Sequence, residues 1–217
     1  MALDLVARDV TVAGRRLSVL VPRSADEILD DNLDAGDTVP PYWADLWPSA
    51  RALATHLLER GDLEGRRVLE LGCGVGLPSI AALLAGAEVT ASDVEPVAIR
   101  IAARNARRCA RRRLQTLVVD VADPPPALLE LPPFDLVIVA DVLYRADLGD
   151  AFAALLPAIV APTGEALMVH PFAGQGDAMI ETLAARGWSV DRAELAVPDW
   201  LDGRTVVHAV RLRPAAA

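Results

Sequence analysis

Along the chain, short apolar runs alternate with stretches of helical period. Residues 68–71, 89–92, 117–119, 136–140 and 166–169 are short, mostly apolar segments that recur as the strands of a parallel sheet require. Ala-rich stretches with apolar residues three and four apart separate them, which predicts a succession of βα units. Upstream, residues 10–12 and 16–21 alternate around Ala13-Gly14 and predict a hairpin, and the acidic residues 26–37 read as a surface connection. A helix is predicted from Pro48, suited to a first turn, to a stop at Gly61, with Tyr42, Trp43 and Trp47 leading into it. After Gly187, residues 188–197 and 205–212 have strand composition, with Pro198, Asp202 and Gly203 as turn residues between them. The predicted fold is α/β: a doubly wound, mostly parallel Rossmann-like sheet with a C-terminal antiparallel strand pair and an N-terminal hairpin extension. The extension covers residues 1–45 and the main domain residues 46–217.

Composition narrows the class. At 217 residues the chain suits a single core. No stretch of about eighteen apolar residues is free of charge, so the 53% hydrophobic content belongs to a core. Asp4, Arg8 and Asp9 interrupt the place a secretory signal would need, and a cytoplasmic enzyme is the simplest expectation. Cys73 and Cys109 are predicted to be reduced thiols, and no CxxC or Cys/His cluster suggests a metal. The net charge of −9 opposes nucleic acid. Arg104, Arg107, Arg108, Arg111, Arg112 and Arg113 nevertheless crowd one helix and its exit, as a solvated face or as a patch for an acidic protein or RNA.

The chemistry concentrates where the run Val68-Leu69-Glu70-Leu71 enters Gly72-Cys73-Gly74-Val75-Gly76 and then a helix. Glycines there let a ligand approach the backbone amides and allow turn angles that other residues resist. Leu77 occupies the last position of GxGxxG, and Glu70 precedes the loop, so the dinucleotide fingerprint is imperfect. A carboxylate would repel a pyrophosphate but attract the ammonium of S-adenosylmethionine, directly or through water. Asp93 follows the loop by about 20 residues, where a carboxylate accepts from both ribose hydroxyls. Asp120 ends the third strand, placed to accept from an adenine amino group, with Val121 against the ring. Any one of these carboxylates could be a helix cap or a solvated strand end. Their joint spacing behind the loop points to a cofactor site.

The loop, Asp93 and the element order resemble the class I S-adenosylmethionine-dependent methyltransferases over about residues 47–213. Two further segments, Pro40-Pro41-Tyr42-Trp43-Ala44-Asp45-Leu46-Trp47-Pro48-Ser49 and Asp141-Val142-Leu143-Tyr144, narrow the likeness. They resemble the protein-lysine methyltransferases with an Asp/Glu-x-x-Tyr/Phe motif, above all the electron-transfer-flavoprotein β-subunit lysine methyltransferases. The resemblance implies S-adenosylmethionine as cofactor, with Trp47 on the adenosine side and Gly72, Gly74 and Gly76 in the contact loop. It implies Asp93 as ribose ligand, Val121 and Ala140 lining the cofactor, and Asp141 and Tyr144 facing the acceptor. It also implies a protein substrate such as the flavoprotein β subunit. Physically, a carboxylate and a phenol can orient an amine for in-line attack, and the carboxylate favours the charge the amine acquires. One departure stands out: His170-Pro171-Phe172-Ala173-Gly174 occupies the place of a Gly-Asp-Pro-Gly-Arg-like loop. Methylation of a small amine or of RNA stays open on the same fold, although the prolines of the Asn/Asp-Pro-Pro-aromatic base motif are missing. His170 reads first as a structural hydrogen-bonder and second as a base.

Overall fold

A computed structural model of the chain describes residues 3–25, 28, 40–143, 146–197 and 206–215. Strands β1 (Leu5–Val12) and β2 (Arg15–Pro22) form a two-stranded antiparallel hairpin. Its two-residue turn, Ala13-Gly14, has positive φ at both positions, the geometry that matches the twist of paired strands. A 3₁₀ turn at Tyr42–Ala44 leads to α1 (Pro48–Glu59), which starts on Pro48, where a missing N–H costs nothing. The βα succession then runs β3 (Arg67–Leu71), α2 (Leu77–Leu84), β4 (Glu88–Asp93), α3 (Pro96–Cys109), β5 (Gln115–Val118), α4 (Pro126–Leu129), β6 (Phe134–Ala140), α5 (Ala146–Ile159), β7 (Val160–His170) and α6 (Asp177–Ala185). Strands β8 (Ser189–Ala196) and β9 (Val206–Arg213) complete it. The predicted turn residues Pro198, Asp202 and Gly203 lie outside the described residues, as does the acidic connection 26–37 apart from Ile28.

The seven-stranded sheet has the order β5-β4-β3-β6-β7-β9-β8, parallel through β7 and antiparallel at the β7–β9 and β9–β8 pairs. From β3 the chain winds one way through β4 and β5, then the other way through β6 and β7. The reversal opens a crevice beyond the carboxyl ends of β3 and β6, where sheets of this kind hold ligands. Leu71 pairs with Ser92 on one side and Val139 on the other, so Gly72, Asp93 and Ala140 leave the sheet side by side.

Two apolar clusters cover the sheet. Leu69 and Leu71 pack with β6, β7, α5 and α6; Val68 packs with α1, α2 and α3. Val10, Val12, Leu17, Val19 and Val21 of the hairpin belong to the second cluster, so the hairpin shares the core of the main domain. Buried Asn105 of α3 fixes it there: Leu20 N–H donates to Asn105 Oδ1 (2.8 Å), and Asn105 Nδ2 donates to Leu20 O (2.9 Å) and Val75 O (3.0 Å). Two of the clustered arginines also do structural work. Arg108 donates to Ser18 O at 3.0 Å, and Arg112 donates to Leu83 O at the end of α2, also at 3.0 Å. Arg104, Arg107, Arg111 and Arg113 are exposed.

Candidate functional site

β3 must turn sharply as it leaves the sheet, and Gly72, Gly74 and Gly76 all take positive φ. A Cβ on Gly72 would lie 2.5 Å from Val142 Cγ2, and one on Gly74 2.9 Å from Trp43 O. These two glycines let the turn after β6 and the 40–47 segment close on the loop. Gly76 faces elsewhere: a Cβ there would meet Ala102 Cβ at 2.7 Å, so it serves the packing of α2 on α3 and takes no part in the cavity lining.

A cavity of about 410 Å³ sits over the loop, within the range of small-ligand clefts. Glu70, Gly72 and Gly74 form its floor, with Asp93 beside them. Asp120 and Val121 line it from beyond β5, Ala140 and Asp141 from the end of β6, and Trp47 from the 40–47 segment. Tyr144 lies outside the described residues. The lining contains six carboxylates, those of Asp45, Glu70, Asp93, Glu95, Asp120 and Asp141, and no Lys, Arg or His among the described residues. Such a cavity attracts a cation. Its glycine floor and acidic walls fit a ligand that carries an ammonium and a sulfonium.

Each cofactor-side carboxylate is also a local hydrogen-bond acceptor. Gly76, the N-cap of α2, has no side chain to cap the helix. Glu70 takes over, and its Oε2 accepts from Ser79 N–H (2.9 Å) and from the Ser79 hydroxyl. Burial pushes the Glu70 carboxyl up to about 8, against the pull of those bonds. Asp93 accepts from Gly74 N–H (2.8 Å) and Glu95 N–H (3.0 Å), and burial raises its pKa as well. Asp120 is exposed and accepts from Ala122 N–H at 2.9 Å. Local hydrogen bonding and a place in the cavity lining therefore fall to the same carboxylates.

Asp141 has φ +56, a conformation that residues other than glycine adopt at a cost. Its N–H donates to Val169 O (3.0 Å), and its Oδ1 accepts from Ser49 Oγ (2.8 Å). Nothing in the sequence marks Ser49 for this role: its partner lies 92 residues away, and no local pattern announces the pair. Gln175 was missed too: it lines the cavity, and its Nε2 donates to Leu143 O at 2.7 Å. Trp47 Nε1 donates to Tyr42 O (2.7 Å), and the two rings meet edge to face. His170 is outside the lining. It is buried, pairs through Nδ1 with Phe172 O (2.7 Å) and stacks on His208, and burial lowers its pKa. It holds the loop that carries Pro171 and Phe172 into the cavity wall. Cys73 and Cys109 are free thiols, and burial raises the pKa of both. No group of metal-ligating side chains occurs among the described residues.

A doubly wound sheet with a glycine cradle and an acidic cavity at its reversal defines a class I S-adenosylmethionine-dependent methyltransferase domain. Residues 50–202 match the ribosomal protein L11 methyltransferase (PrmA) family, and the chain belongs to that family. The human electron transfer flavoprotein beta subunit lysine methyltransferase is 34% identical over 113 residues, which are 51% of this chain and 41% of that protein. A ribosomal protein L11 methyltransferase of Synechococcus is 36% identical over 186 residues, 82% of this chain and 58% of that protein. The chain thus spans about half the length of the curated relatives it matches. Magnesium protoporphyrin IX methyltransferase of Synechocystis, crystallised with S-adenosylmethionine, superposes with a TM-score of 0.59 at 20% identity over 76% of this chain and 78% of that one. That likeness shows the fold.

Proposed function

We propose that this protein transfers the methyl group of S-adenosylmethionine to a lysine side-chain amine of a protein substrate. The β subunit of electron transfer flavoprotein is the first candidate, on the likeness to the human enzyme. The observation that carries the reading is Asp141: a carboxylate in the cavity wall, at the end of β6, on a backbone conformation that only its surroundings sustain. Bound at the glycine loop, the cofactor supplies an electrophilic sulfonium methyl. Gly72 and Gly74 let its methionine end lie on the loop backbone, and Glu70 answers the ammonium. Asp93 accepts from the ribose hydroxyls, Asp120 from the adenine amino group, and Val121, Ala140 and Trp47 pack on adenosine. On the other side Asp141 orients the incoming amine and offsets the positive charge it gains, with Tyr144 as its predicted companion. The exposed ring of Phe172 stands at the mouth, where the apolar stem of a lysine would lie.

The test is incubation of purified protein with methyl-labelled cofactor and cell lysate, followed by mass spectrometry of the labelled products. The sequence contains no lysine, so every labelled lysine reports a substrate rather than the enzyme. Label on lysine of a lysate protein is the expected result. Label confined to RNA or to small amines would overturn the lysine reading.

A further inference from the structure

Two contacts bind the 40–49 segment to the site, and a third braces the segment internally. The backbone of Trp43 lies against Gly74, close enough that a Cβ there would sit 2.9 Å from Trp43 O. Trp47 is tied back to Tyr42 through its indole N–H. Ser49, two residues on, is fully buried in the first turn of α1, and its hydroxyl donates to Asp141 Oδ1 at 2.8 Å. Helix capping does not explain that hydroxyl, because the start of α1 has no side-chain cap bond. Ser49 takes no part in lining the cavity. Its hydroxyl reaches a carboxylate that does line it.

We propose that Ser49 is a positioning residue for methyl transfer: its hydroxyl sets the Asp141 carboxylate and ties it to the segment that closes over the glycine loop. The proposal rests on the reading of Asp141 as the acceptor-side group. At φ +56, the Asp141 side chain leaves the backbone in a direction that needs support from more than one side. The Asp141 N–H bond to Val169 O fixes the backbone, and Val142 is held against Gly72. Neither contact fixes the side-chain torsions. The Ser49 bond does, because a hydrogen bond to a carboxylate oxygen is both strong and directional. Removing that bond releases Asp141 Oδ1 from the direction in which Ser49 holds it, and the amine that the carboxylate orients would lose alignment. The link also joins the two halves of the site. The residue that sets the acceptor carboxylate follows Trp47 and Pro48, so the same segment touches the glycine loop, the adenosine side and the acceptor side.

A double-mutant cycle tests this. Initial rates of labelled methyl incorporation into lysate protein, at saturating cofactor, are compared for the parent, Ser49→Ala, Asp141→Asn and the double variant. Cofactor dissociation constants are measured by calorimetry on each. Alanine suits the first turn of a helix, and thermal melting of each variant reports on folding. The expected result is that Ser49→Ala keeps cofactor affinity within about twofold while its rate falls roughly 10- to 100-fold. In the Asp141→Asn background, Ser49→Ala should change the rate by less than about twofold, because the carboxylate charge whose placement it governs is already gone. A parent-like rate for Ser49→Ala, a clear loss of cofactor affinity, or an additive loss in the double variant would each overturn the proposal. An unchanged rate for Asp141→Asn alone would overturn the reading of Asp141 and the proposal with it. A slow Asp141→Asn with an additive cycle sinks the proposal alone.

Discussion

Glu70 has two tasks that favour opposite protonation states. Buried under the loop and bonded to Ser79 at the start of α2, it is held near a pKa of 8. The cofactor ammonium would require it ionised. The sign for stability follows from the raised value: a carboxyl whose folded pKa lies above its ordinary 4.5 contributes stability below that value and loses it as pH rises towards 8. The ligand-free protein should therefore weaken across that window, with Asp93 acting in the same direction. Glu70→Gln keeps a carbonyl that can accept from Ser79 N–H and carries no charge. Its melting temperature should match that of the parent at about pH 5 and exceed it at about pH 8.5, while cofactor affinity at the higher pH falls roughly tenfold or more. Thermal melting against pH and calorimetry check both parts, and a parent-like pH dependence in Glu70→Gln would refute the burial argument. Asp141→Asn separates the other half of the site: cofactor affinity should hold while transfer falls about 100-fold. Cofactor calorimetry and rate assays on one preparation decide it.

At the scale of elements, what the sequence made legible was what has a period. The parallel strands, the helix start at Pro48 and the hairpin turn at Ala13-Gly14 all follow from local pattern and turn chemistry. Pairings between distant elements do not, because a single polar residue carries no sign of its partner. Asn105 shows both sides of this. It is a polar residue among Ile101, Ala102 and Ala106 on the buried face of α3, which marks it as constrained, yet nothing local says that its partners are Leu20 and Val75. Gly76 illustrates the converse. Its place in the glycine loop predicts a ligand contact; it also serves the packing of α2 against α3 and lies outside the cavity lining, which no local pattern foretells. The Asn105 bonds give the hairpin an energetic role. Asn105→Ala would leave Leu20 N–H, Leu20 O and Val75 O unpaired beneath the core and should cost about 2–4 kcal/mol. Urea denaturation measures the loss. Hydrogen exchange should show faster opening of the hairpin and the glycine loop together, and a hairpin that opens alone would disprove the coupling.

Across the whole molecule, α1 spans the sheet and is pinned at both ends. Its first turn meets Asp141 through Ser49 at the carboxyl edge of the sheet. Just past its last turn, Arg60 reaches buried Glu165 of β7 at 2.5 Å, and Arg211 and Arg213 of β9 approach the same carboxylate at 3.4 Å and 3.3 Å. Burial works to raise the Glu165 pKa, but the three guanidinium groups outweigh it and hold the carboxyl below its ordinary value. The sign here is opposite to that of Glu70: stability from Glu165 is present above pH 4.5 and is lost as pH falls through the lowered folded value. The ligand-free protein should therefore be bounded on the acid side by the Arg60–Glu165 anchor and on the alkaline side by the buried carboxyls of the cofactor cavity. Cofactor relieves only the second limit, since its ammonium stabilises the ionised Glu70. Glu165→Gln takes from the nearly buried Arg60 its buried charge partner, leaves it only the exposed Asp62, and should cost about 2 kcal/mol near pH 7. The variant should approach the parent as pH falls below 4.5 through the lowered folded value and the parent's own carboxyl protonates. Chemical denaturation at several pH values, with and without cofactor, resolves the two limits. A Glu165→Gln deficit that stayed constant down to about pH 3, or cofactor protection that vanished at alkaline pH, would show that these two carboxylates do not set the stability range.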